Sequence, residues 1–272
     1  MSQQSIGITA PAPAAKPQSK AAASGNLLPR LICGLVILVL WEVVVRLFAP
    51  AYVAKPTTIA MVIPKVIVDP QFLSATGYTL VAVAEGLGIA LVLGTVIGLL
   101  MGRSPALERV IRHYVNGFYA LPMIVVLPLF SLWFGYTSGA RLATIVFAAI
   151  FSIIMNVADG ARAVPKEYLE VAASFRSTRT RTLIEIVLPA ATPYLLAGFR
   201  LAAGRALIGA VVAEFFLAVG GLGYFILFNS RTYHHNEAFV GVLLLAGFGV
   251  GFELLVVWAT RRFMPWYRRD EK

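Results

Sequence analysis

Five ionisable residues stand within or beside long apolar runs of this 272-residue chain: Glu42, Glu85, Arg200, Arg205 and Glu253. A charge in apolar surroundings is costly unless it is paired or lines a water-filled path. Two arginines on one run, Arg200 and Arg205, suit a path for an anion, and both are candidates for a translocation path. The three acids offer a competing use, as internal ion pairs between helices. Arg200 lies nearer the cytoplasmic entrance of its run and fits that structural use better, which leaves Arg205 as the stronger path candidate.

Covalent chemistry has no comparable foothold. The sequence holds no Gly-x-x-x-x-Gly-Lys phosphate loop, no His-Glu-x-x-His and no Ser/His/Asp arrangement at a recognisable spacing. The chain therefore reads as neither an ATPase nor another enzyme, with no catalytic residue of its own. A single cysteine, Cys33, excludes an internal disulfide and a cysteine metal cluster. The pair His234-His235 would point its two side chains in different directions on a helix or strand, so no metal site is assigned. Gly220-Gly221-Leu222-Gly223 lacks the strand and helix of a dinucleotide site and reads as a turn.

The elements that must position these residues follow from composition. Hydrophobic residues are 59% of the chain, against roughly 45–50% in a soluble domain. Charged residues are 13%, too few to solvate a surface of normal polarity. The net charge of +10 is spread through short connections, not gathered into a basic face, which argues against nucleic acid. Six apolar runs, Leu31 to Phe48, Thr79 to Met101, Gly117 to Gly135, Leu142 to Ala158, Ala190 to Val212 and Phe239 to Thr260, are long enough to cross a bilayer. The expected fold is an all-α membrane protein with six transmembrane helices. An even number of crossings puts both termini on one side. That side receives sixteen of the Lys and Arg residues, the other side five, and Arg200 and Arg205 lie within the fifth run. Both termini are therefore expected in the cytoplasm.

Residues 1–26, rich in Ala, Pro and Ser, read as a disordered cytoplasmic tail, 27–262 as the membrane domain and 263–272 as a C-terminal tail. Gly94, Gly98 and Gly102 repeat at four-residue steps, as do Gly247 and Gly251. Such steps allow close helix contact, within one chain or at a dimer seam. Pro122 and Pro128 predict kinks in the third run.

The connection over residues 160–189 is far longer than the other cytoplasmic link, at about 103–116, and loops of this size usually carry function. Pro165 suits a helix start, Glu167 and Glu170 complement its positive end, and Tyr168, Val171, Ala172 and Phe175 follow at helical spacing. An amphipathic helix results, whose apolar stripe fits either the protein's own base or a groove on a partner.

The stretch Glu170-Val171-Ala172, followed by Ile186-Val187-Leu188-Pro189, resembles the EAA signature of the inner-membrane permeases of bacterial ABC importers. The likeness extends to Trp133-Phe134-Gly135, Gly198-Phe199-Arg200-Leu201-Ala202, Val212-Ala213-Glu214 and Gly221-Leu222-Gly223-Tyr224. It is strongest to the branch that imports aliphatic sulfonates, taurine, nitrate and similar small, mostly anionic solutes. The resemblance implies a multi-pass permease of the bacterial inner membrane whose loop between the fourth and fifth helices docks on a separate ATPase subunit. ATP and Mg would bind that subunit, and none of this chain's residues would hold a cofactor. It further implies an extracytoplasmic solute-binding protein, a second permease copy in a homodimer, and lipid around both. Glu170, Val171, Ala172, Ile186, Leu188 and Pro189 become the coupling residues, with Tyr168 and Phe175 in the docking stripe. The signature's usual glycine falls at Arg176 here, where a left-handed turn would cost roughly 1–2 kcal/mol. An ion-coupled secondary transporter, with Glu42, Glu85 or Glu253 handling the ion, is the alternative.

Overall fold

A computed structural model describes residues 27–50 and 52–263. The expected tails, 1–26 and all but the first residue of 263–272, lie outside the described residues. The described residues are helical, without strands. One unit is the segment of helix α1 (Leu27–Phe48), which is apolar along its length and carries an internal pair, Glu42 with Arg46, at 2.5 Å.

The other unit, from Pro50 onward, contains the remaining helices. These are α2 (Pro56–Val66), α3 (Pro70–Arg103), α4 (Pro105–Ala120), α5 (Met123–Phe134), α6 (Ser138–Arg162), α7 (Lys166–Ser174), α8 (Arg179–Thr182), α9 (Leu188–Leu217), α10 (Leu222–Arg231) and α11 (His235–Phe263). A wide π turn over Leu183–Val187 joins α8 to α9. Helix starts follow the local sequence. Asp69 accepts a hydrogen bond from Gln71 N at 2.9 Å ahead of Pro70, and Thr137 accepts from Gly139 N at 3.2 Å.

By length and composition α1, α3, α6, α9 with its preceding turns, and α11 can each cross a membrane. The sixth candidate for a crossing is not one helix. Helices α4 and α5 meet at a bend of 100°, with Leu121 and Pro122 both extended at the break. Pro122 supplies the reason, since a residue before proline is pushed out of the helical region and the ring forbids the backbone hydrogen bond. Pro128 sits inside α5 without breaking it. The short link expected at 103–116 is mostly helix α4, started by the Ser104 cap and Pro105. The α2 and α10 segments, which lie between the apolar runs, are short helices.

Helix α6 is the axis of the unit, packed between α3 and α9. Ile145, Ala149, Ile153 and Val157 on α6 are buried against Val83, Leu87 and Ala90 of α3 and Ala202, Ala203, Ala206 and Ala210 of α9. The glycines of α3 belong to this interface. A β-carbon on Gly98 would stand 2.9 Å from Ile154 O, and one on Gly102 would stand 2.4 Å from Ala158 O. Only hydrogen fits at that helix separation, so the step from Gly94 to Gly102 serves packing within one chain. Gly247 and Gly251 on α11 face open space.

Candidate functional site

The segment after α6 folds as a short helix on the base of the bundle. Pro165 precedes α7 in extended backbone and Glu167 lies in its first turn. Leu169 packs against the main core and Ala172 is buried. Tyr168, Val171 and Phe175 stand outward at 59%, 55% and 83% exposure. The four apolar positions read from sequence thus divide: Ala172 anchors the helix, and the other three form a free stripe. Glu170 is exposed beside it.

The end of α7 explains the missing glycine. Arg176 itself takes the left-handed conformation, with φ of 52°. Ser177 N donates to Ala172 O and Arg176 N to Ala173 O, both at 2.9 Å, which is the paired closure that a left-handed residue permits at a helix end. The turn stays at Arg176 and does not move onto Ser177 or Thr178. Beyond it, Thr178 caps α8 by accepting from Arg181 N, and Arg181 pairs with Glu185 at 2.9 Å. Ile186 and Leu188 lean on the main core, Val187 is buried and Pro189 is exposed at the start of α9. The signature therefore splits into an outward part around Glu170 and an inward part that roots the segment.

Among the membrane charges, Arg200 on α9 pairs with Glu253 on α11, as internal pairing predicts. Arg205, one and a half turns further along α9, has its guanidinium carbon 3.8 Å from the centre of the Tyr119 ring. A cation held over an aromatic face keeps its charge available in a way that a carboxylate partner would not allow. Glu85 faces away from the unit's core. His235 and His234 have separate contacts: His235 joins the rings of Tyr52 and Tyr233, while His234 Nδ1 lies 3.1 Å from Thr232 Oγ1.

Two polar clusters were not read as sites from sequence. At the start of α6, Glu214 of α9 is wholly buried. Thr79 Oγ1 on α3 donates to its carboxylate at 2.8 Å, Gly223 N donates at 2.8 Å, and Arg141 on α6 approaches to 3.5 Å. Arg141 also donates to Gly220 O at 2.9 Å, and Leu222 N donates to Thr79 Oγ1 at 2.8 Å. The turn from Gly220 to Gly223 is thereby tied to three long helices. It forms one edge of an open cavity of about 1030 Å³, bordered also by Asp69, Tyr78, Tyr224 and Phe228. Roughly 30 Å along α6, at its opposite end, Glu108 and Arg112 of α4 meet Asp159 and Arg162 of α6. Two Gly residues bracketing a Leu, and acids at four- and three-residue offsets from arginines, were the available signals.

The family model described as "Binding-protein-dependent transport system inner membrane component" matches residues 90–269. The formylaminopyrimidine transport permease protein ThiX of Halalkalibacterium halodurans is 27% identical over 87% of this chain and 94% of its own length. The putative aliphatic sulfonates transport permease protein SsuC of Bacillus subtilis is 28% identical over 89% and 87%. In fold, the chain is similar to a solved amino acid ABC transporter, with a TM-score of 0.59 over 75% of this chain and 97% of that one, at 20% identity. A helical bundle of apolar crossings, a short outward-facing helix in the signature segment and a match over 180 residues agree: the chain belongs to the family of inner-membrane components of binding-protein-dependent transport systems, the permease subunits of ABC importers.

Proposed function

We propose that this permease carries a small anionic solute and is driven through α7 by a separate ATPase subunit that binds ATP and Mg. The observation that carries the reading is the stripe of Tyr168, Val171 and Phe175, left exposed while Leu169 and Ala172 root the same helix in the core. An aromatic and branched stripe on a short helix fits an apolar groove on a partner, and Glu170 beside it can pair with a basic group there. Pulling on α7 would act on the ends of α6 and α9, and the bundle would alternate between inward-facing and outward-facing states.

The excess of Lys and Arg on the connections at the α7 end supports cytoplasmic termini in the inner membrane. An extracytoplasmic binding protein would deliver solute at the other end. Two copies of the chain would enclose the path. Arg205 supports an anionic cargo, and relatives named for aliphatic sulfonates and nitrate are consistent with it. The ion-coupled alternative has less to draw on, because Glu42 and Glu253 each lie against an arginine.

The test is affinity purification of the tagged chain from its native membrane in mild detergent, beside Glu170→Arg, with mass spectrometry of what accompanies each. A soluble protein with a phosphate-loop ATPase motif should accompany the native chain near one-to-one and be lost from the variant. A folded native chain without any ATPase would defeat the reading.

A further inference from the structure

We propose that Glu108, Arg112, Asp159 and Arg162 form a strut that makes α4 move as one body with the end of α6 leading into α7. Movement of α7 is thereby delivered to the break between α4 and α5. The inference rests on the docking of an ATPase at α7 proposed above.

The four side chains alternate in charge around a closed ring. Arg112 reaches Asp159 at 2.8 Å and Glu108 at 3.1 Å, and Arg162 pairs with both Asp159 and Glu108. Two of these contacts run along a helix and two cross from α4 to α6. Each carboxylate serves two guanidiniums, whose fixed forks hold a geometry better than single charges do. Isolated exposed pairs contribute little, but a network with every member shared resists displacement of any one.

The rest of the same interface is apolar. Val115 of α4 is buried with Ile154 and Ala158 of α6 and Met101 of α3. Phe118 of α4 stacks on Phe151 of α6, with centroids 5.9 Å apart and planes 18° from parallel. Helix α4 is therefore fixed to α6 by charge at one end and by packing along its length. Its other end stops at the 100° bend, where Leu121 and Pro122 carry no helical hydrogen-bond ladder across to α5.

On the α7 side there is little slack. Three residues, 163 to 165, separate Arg162 from Lys166, and Val164 among them is buried. A displacement of α7 cannot be absorbed in so short a connection. It passes to Asp159 and Arg162, through the ring to α4, and is released at the bend, where the helical backbone on that route is broken. Arg112 and Arg162 are positioning residues here, since they act on the path through helix placement and touch no solute.

The experiment uses the full chain assembled with its ATPase, in a Cys33→Ser background with one reporter, Tyr136→Cys, two residues past the end of α5, where Tyr136 is 66% exposed. The readout is the labelling rate by a small charged maleimide with ATP and vanadate, divided by the rate without them. With the ring intact the ratio should depart from one by threefold or more. Arg162→Glu sets three acids against one arginine and should bring the ratio close to one. The ATPase should still co-purify in native proportion, because Tyr168, Val171 and Phe175 are untouched. Inverting all four charges together (E108R, R112E, D159R, R162E) restores the alternation and should restore the ratio.

Should Arg162→Glu fail to fold, the neutral pair Glu108→Gln with Arg162→Gln takes its place and should at least halve the departure from one. A native ratio of one, a native ratio in either ring-breaking variant, or a folded, ATPase-bound inversion that stays at one would overturn the strut. Absence of the ATPase from the native chain would be seen in the purification, before any labelling. That result would overturn the docking reading and the strut with it.

Discussion

Thr79 on α3 and Glu214 on α9 are 135 residues apart in sequence, and the threonine hydroxyl donates to the glutamate carboxylate at 2.8 Å in a fully buried setting. The same hydroxyl oxygen accepts Leu222 N at 2.8 Å. One small side chain thus satisfies a carboxylate and the first turn of α10 together, and an unmade hydrogen bond in such a place costs the full desolvation of the group. Thr79→Val, which keeps the shape and removes the hydroxyl, should lower stability by about 1–3 kcal/mol. Thermal unfolding in detergent should show a reduced midpoint, and Thr79→Ser should recover most of it.

Gly221 presents a sharper case. Its φ of 148° lies where side chains are strained, and a β-carbon there would stand 2.2 Å from the Glu214 carboxylate carbon. Gly221→Ala should cost about 2–5 kcal/mol from backbone strain and crowding combined. At the adjacent Gly220 a β-carbon meets open space, so Gly220→Ala should be nearly neutral. Yield of folded protein by size-exclusion chromatography would separate the two, and equal loss would contradict the geometry.

The crossings were legible because length and apolarity act locally: a run of about twenty apolar residues needs no knowledge of its neighbours to be recognised. Pro122 also announced its kink locally, though not that the kink reaches 100° and divides the run in two. Glu214 was invisible as a site for the opposite reason. Its partners Thr79 and Arg141 come from other helices, and nothing in Val212-Ala213-Glu214 points to them. The ring of Glu108, Arg112, Asp159 and Arg162 was likewise hidden, because its arginines also served as ordinary flanking charges. Tyr168, Val171 and Phe175 followed from helical spacing alone. Which of the four apolar positions faces inward was decided by where α7 meets the core.

Arg176 spends conformational energy that glycine would not. With φ of 52°, it occupies a region that disfavours a β-carbon by roughly 1–2 kcal/mol. Glycine would recover much of that but adds freedom to the unfolded chain, which returns part of the gain. Arg176→Gly should therefore raise stability by about 0.5–1 kcal/mol while ATPase binding and transport persist. Complete loss of transport in folded protein would show that the guanidinium has a task of its own beside the docking stripe. Arg176→Ala, which keeps the strain and removes the charge, would then behave like Arg176→Gly in transport but not in stability.

Arg200 and Arg205 share a helix and differ in partner, and that difference sets opposite expectations. Arg200 is neutralised by Glu253 on α11, so Arg200→Gln strands an acid within a membrane helix, a costly arrangement. Adding Glu253→Gln removes the stranded charge and should restore folded yield and uptake together. Among the described residues Arg205 is held against the Tyr119 ring, 3.8 Å away, a contact worth about 0.5–2 kcal/mol. Arg205→Gln should leave folding close to native and reduce uptake of an anion such as nitrate or an aliphatic sulfonate at least tenfold in cells expressing the whole transporter, and Arg205→Lys should retain part of it. Uptake unchanged at equal expression would remove Arg205 from the path and leave the cation with a packing role against α4.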